Sequence, residues 1–112
     1  MDIREINDEY SVSGQITVED VDAVAAMGFK SIVCHRPDHE EAGQPESAAI
    51  AARAQELGIQ TAHVPVGPMG VTAEAVNGMM DALDDLPRPM LGYCRSGMRS
   101  TKTYEQAQHL RG

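Results

Sequence analysis

Cys94-Arg95-Ser96-Gly97-Met98-Arg99-Ser100 is the stretch of this chain whose residue types and spacing most plainly suit chemistry. It lies between Met90–Tyr93, an apolar run that reads as a buried strand, and Ser100–Leu110, which reads as a helix. A strand end, a tight loop and a helix N-terminus together make an anion cradle. The loop N–H groups converge on one point and the helix dipole adds positive potential there. A thiol at that point ionises easily, and the thiolate is the nucleophile. Cys94 is therefore the candidate nucleophile. Arg99 is the candidate oxyanion binder, because a guanidinium presents paired planar donors. Arg95 reads either as a second fixed charge or as a solvated loop residue. Ser96, Gly97 and Met98 serve chiefly through their N–H groups, with Gly97 permitting a backbone angle that other residues resist. Ser100 either hydrogen-bonds the thiolate or caps the helix.

Elements that could hold such a loop follow from the rest of the chain. Its 112 residues fit one domain, residues 1–112. With no Trp, one Phe and three Tyr, the core must rest on aliphatic residues and seven Met. Ile3–Ile6 and Tyr10–Gly14 read as short strands around a turn at Asn7-Asp8-Glu9. Thr17 with Asp20 reads as a capping box ahead of a helical apolar stripe ended by Gly28. Phe29–Cys34 reads as a strand and His35–Gln44 as a loop. Glu46–Leu57 reads as a helix entered through Pro45, and Ile59–Val64 as a strand. Thr72 caps a helix to about Asp85, and Pro87 and Pro89 end it. Such alternation predicts an α/β fold: a small, mostly parallel sheet with helices on both faces. Ligands of such sheets bind at the carboxyl ends of the strands, where Cys34, Val64–Gly67 and Cys94 all fall.

The net charge of −8 argues against a nucleic-acid partner and against an anionic membrane surface. Arg95, Arg99, Lys102 and Arg111 nevertheless gather near the C-terminus, which suits a small anionic or thiol substrate. Two cysteines and no run of membrane-spanning length predict a reducing compartment, the cytoplasm by default. No metal or organic cofactor is implied. His35, Asp38 and His39 lie on a polar loop and read as solvated rather than metal-ligating.

Four stretches together resemble a known family: Tyr10-Ser-Val-Ser-Gly-Gln15, Arg36-Pro37-Asp38, His63-Val64-Pro65-Val66 and Tyr93–Ser100. They look like the phosphatase-like domain of the beta-lactamase-hydrolase-like family, over nearly the whole chain. The resemblance implies a fold similar to the dual-specificity protein tyrosine phosphatases. It also implies an activity described variously as phosphatase or sulfurtransferase. Its partners would be fused or separate metallo-beta-lactamase-like or sulfide-oxidising modules.

Two departures shape the functional expectation. A tyrosine-phosphatase loop places five residues between its cysteine and arginine, whereas four separate Cys94 from Arg99. Cys-Arg-x-Gly-x-Arg is similar in length to the rhodanese loop. The loop Val64–Val71, where a phosphatase carries its acid, has no carboxylate, although Asp38 or Glu41 could supply one from another loop. The expectation is thus a sulfurtransferase holding sulfane sulfur as a Cys94 persulfide. The alternatives are a tyrosine-phosphatase-like hydrolase working through a Cys94 thiophosphate, or a non-catalytic sulfur-relay module. Cys34 reads as a small core residue, or as a redox partner that closes a reversible disulfide with Cys94.

Overall fold

A computed structural model describes the whole chain, residues 1–112. The strands are β1 (Arg4–Glu5), β2 (Tyr10–Ser13), β3 (Ser31–Cys34), β4 (Gln60–His63) and β5 (Met90–Tyr93). The helices are α1 (Val18–Ala26), α2 (Ser47–Glu56), α3 (Ala73–Asp85) and α4 (Met98–Arg111). The strands form one sheet in the order β1-β2-β5-β3-β4, in which only the β1–β2 pair is antiparallel. The α/β class expected from the alternation is the class observed.

Consecutive strand residues face opposite sides, so the four-residue strands divide their apolar side chains between two cores. Tyr10, Val12, Val33 and Met90 pack with Val76, Met79, Leu83, Tyr104 and Ala107 of α3 and α4. Ile32, Leu91 and Tyr93 pack on the other face with Val21, Val24, Ile50 and Ala54 of α1 and α2. Each fully buried aliphatic side chain contributes about 1.5–3 kcal/mol. β5 has neighbours on both edges and is wholly buried, so its C-terminal end is fixed by both cores.

Local chemistry sets the element ends. Thr17 and Asp20 form the reciprocal capping box at α1, and the Thr72 hydroxyl accepts from Ala75 N at α3. The Asn7 carboxamide oxygen accepts from the N–H groups of Glu9 and Tyr10, closing the β1–β2 turn. α4 begins at Met98, two residues before the start expected from the sequence. Gly97 is its cap, at φ 95°, a conformation costing an L-residue roughly 1–2 kcal/mol. Met98 and Arg99 therefore belong to the first helical turn.

Candidate active site

Cys94 immediately follows β5 and is 1% exposed. Its N–H donates to Ser13 O (3.3 Å), tying the loop to the end of β2. Its sulfur accepts the Gly97 N–H at 3.0 Å. Burial pushes the thiol up, but the Ser100 N–H and hydroxyl, with the N–H groups of Ser96 and Gly97, outweigh it and bring Cys94 below the ordinary thiol value. The Ser100 hydroxyl is buried and has no hydrogen-bond partner, which leaves the ionised sulfur as the acceptor for it.

Three residues outside the loop brace it. Arg4 Nη2 donates to Ser96 O (3.0 Å), and a Cβ on Gly97 would collide with that Arg4 nitrogen. Gly14 lies against the Arg95 carbonyl, where a Cβ would come within 2.9 Å. Tyr10 stacks on Tyr104 with centroids 4.0 Å apart, and its hydroxyl donates to Ser100 O (3.1 Å). Gly92 makes room for that hydroxyl, since a Cβ there would collide with it.

Arg99 is held from behind. Its Nη1 donates to Glu40 Oε2 (2.7 Å) and Val66 O (2.8 Å), and its Nη2 to Glu40 Oε1 (3.0 Å). A guanidinium carries five N–H donors, so three are used. The remaining two, Nε–H and the second Nη2–H, share one edge, the geometry for a bidentate grip on an oxyanion. Glu40 also accepts Arg36 Nε (2.9 Å). Arg36, 3% exposed, reaches Gln15 Oε1 and Glu41 Oε1 as well, both at 3.1 Å. Hydrogen bonds from Arg99, then from Arg36, hold the Glu40 carboxyl below the usual carboxylate range.

The other expected residues take distinct places. Arg95 is exposed with no side-chain partner, Met98 is 57% exposed, and Ser96 Oγ accepts the Met98 N–H at 3.4 Å. Asp38 accepts Ser47 N and Ser47 Oγ, each at 2.8 Å, and so caps α2. Those bonds hold its carboxyl low, the reverse of what a proton donor at neutral pH needs. Cys34 packs on the α1–α2 face, where burial pushes its thiol up. Its register partner is Tyr93, one residue before Cys94, and strand alternation turns neighbouring positions to opposite faces. Both thiols are free and buried. No group of three or more His, Cys, Asp or Glu is placed to hold a metal ion.

Sequence reasoning passed over Arg36 and Glu40 as site residues and read His35 as a solvated loop residue, which the structure corrects, since strand pairing carries it into the interior. A basic residue just past a strand's carboxyl end, with an acid four positions on, was the available signal for the first two. His35 is fully buried beside the Cys94 strand: its N–H donates to Tyr93 O, and Nδ1 donates to Val64 O, both at 2.8 Å. Its Nε2 has no partner. Burial, partly offset by the Val64 carbonyl, pushes it down to about 4.

A thiol at the end of a central parallel strand, ringed by amides at a helix N-terminus and flanked by an arginine, is the arrangement of a cysteine-dependent phosphatase-like domain. Comparison with known proteins agrees. A family model described as beta-lactamase hydrolase-like protein, phosphatase-like domain, matches residues 2–111, and the chain belongs to that family. A beta-lactamase hydrolase-like protein of Xylella fastidiosa is 30% identical over 112 residues, all of this chain and 26% of that protein. The chain thus spans about a quarter of that relative's length. A candidate phosphatase of Neisseria meningitidis matches with TM-score 0.87 and 29% identity, over 100% of this chain and 80% of that one. Tk-PTP in its active form matches in fold, with TM-score 0.73 and 16% identity over 97% of this chain and 73% of that one.

These findings overturn the expectation of sulfur transfer. The matching family model is of a phosphatase-like domain, and the similar solved structures are described as phosphatases. Loop length misled because it counts residues and not helical turns. With α4 starting at Met98, Arg99 stands in the first turn, where Glu40 and Val66 fix its guanidinium. One fewer residue in the loop still leaves an arginine beside the sulfur.

Proposed function

We propose that this domain hydrolyses phosphomonoesters through a Cys94 thiophosphate. The observation that carries the reading is the depressed Cys94 thiol among the N–H groups of Ser96, Gly97 and Ser100, with a two-donor edge of Arg99 left free. The Cys94 sulfur attacks phosphorus and the P–O bond to the leaving alcohol breaks. Loop amides and Arg99 bind the phosphoryl oxygens as charge shifts onto them. Water then attacks phosphorus, the S–P bond breaks, and inorganic phosphate leaves with the thiolate restored.

The leaving oxygen needs a proton unless it departs as a stable anion. Val64–Val71 holds no carboxylate. Asp38 is engaged by Ser47, Glu41 by Arg36, and Glu40 by both Arg36 and Arg99. Esters of acidic phenols are therefore the favoured substrates, and alkyl phosphates lose the roughly 10²–10⁴-fold help of a general acid. Phosphate release from p-nitrophenyl phosphate, compared with glycerol 2-phosphate, tests this. Turnover of the aryl ester that disappears in Cys94→Ser supports the reading; equal turnover in that variant defeats it. The two unpaired thiols fit a reducing cytoplasm. A fused or separate metallo-beta-lactamase-like or sulfide-oxidising module fits the greater length of the relatives.

A further inference from the structure

Nine Lys and Arg stand against seventeen Asp and Glu in this chain, so most cations should find a carboxylate. Arg36, Arg53, Arg99 and Arg111 do. Of the five that form no ion pair, Lys30 and Arg88 precede the N-terminal ends of β3 and β5, while Arg4, Arg95 and Lys102 stand at the Cys94 loop or the helix that leaves it. Lys102 lies on the wall of an open cleft of about 460 Å³. Ser96, Met98, Arg99, Lys102 and Gln106 line one side, and the Gly67–Val71 segment lines the other. No carboxylate lines it. Glu105, three residues beyond Lys102, does not pair with it.

The helix fixes the spacing. Arg99 and Lys102 are three residues apart on α4, so their Cβ atoms are about 5–6 Å apart on one face. Met98, Pro68 and Val71 add apolar surface to a lining that is otherwise polar or glycine. A cation in the first turn of the helix that follows the sulfur and a second cation one turn on, with apolar surface beside them and no carboxylate, describe a ligand with two negative ends. We infer that the substrate is a phosphomonoester whose apolar body carries a second anionic group, and that Lys102 binds that group while Arg99 and the loop hold the phosphate. This rests on the hydrolase reading and specifies its substrate class.

The test uses two aryl phosphates matched in size, 4-carboxyphenyl phosphate and its neutral amide, 4-carbamoylphenyl phosphate. The expected result is a KM about three- to fivefold lower for the carboxylate, the span of an exposed ion pair. That preference should shrink toward one in 1 M salt. It should vanish in Lys102→Met, which keeps the apolar stem, and persist in Lys30→Ala at the opposite end of β3. Equal KM values in the unaltered protein, or a preference that survives Lys102→Met, overturn the inference alone. Phosphate release from neither ester overturns the hydrolase reading as well.

Discussion

At Cys94, opposing effects act on one proton. Burial favours the neutral thiol; the Ser100, Ser96 and Gly97 N–H groups and the Ser100 hydroxyl favour the thiolate and prevail. An acid whose folded pKa is depressed contributes stability that is present above its unfolded value and lost as pH falls through the folded one. Reactivity follows the same ionisation. Alkylation of Cys94 by iodoacetamide should rise with pH to a midpoint below the roughly 8.5 of a free thiol. Ser100→Ala, which removes the hydroxyl but keeps the N–H, should move that midpoint upward. An unchanged midpoint would show that the hydroxyl plays no part.

Among the elements, the β3–α2 connection decides how α4 presents its arginine. Glu40 and Arg36 come from that connection, and Val66 from the one after β4. Arg99→Lys keeps the charge but loses the fork, so kcat/KM for an aryl phosphate should fall about 10²–10³-fold. Glu40→Gln leaves Arg99 charged but weakly held, and misplacement of that order costs up to about a hundredfold. Phosphate-release kinetics check both; a Glu40→Gln enzyme at full activity would mean that Arg99 is positioned by the helix alone. The order of elements was legible because each boundary carried local chemistry: Thr17, Thr72, Gly28, Gly58 and the prolines near 87–89. The start of α4 was not. Ser100 resembled an N-cap, whereas the cap is Gly97 in a left-handed conformation, at a point where a Cβ would collide with Arg4. The Arg36–Glu40–Arg99 network also escaped notice, since its members are separated by up to 63 residues and only the folded sheet edge joins them.

For the molecule as a whole, the buried imidazole ties fold stability to mild acid. The unfolded chain protonates His35 near 6.5, while the folded one resists until about 4. A base with a depressed folded pKa loses stability as pH falls between those values. Between pH 6.5 and 5, above the range of the carboxylates, unfolding in urea should report a loss of about 1.5 kcal/mol. His35→Asn should flatten that slope. A flat profile in the unaltered protein would mean that the site admits a proton. The α/β scaffold was legible in the sequence because its short apolar strands alternate with capped helices, and its phosphatase-like character only through the resemblance carried by the stretches at Tyr10, Arg36, His63 and Cys94. The reaction was not, because loop length alone cannot show where a side chain in the first turn of a helix is held.

Rapid quenching of the enzyme during turnover of p-nitrophenyl phosphate, followed by peptide mass spectrometry, bears most directly on the chemistry assigned to Cys94. One phosphoryl group bound to the Cys94 sulfur, forming and decaying at rates consistent with phosphate release, is the predicted result. Steady release of phosphate with the sulfur never modified would contradict it.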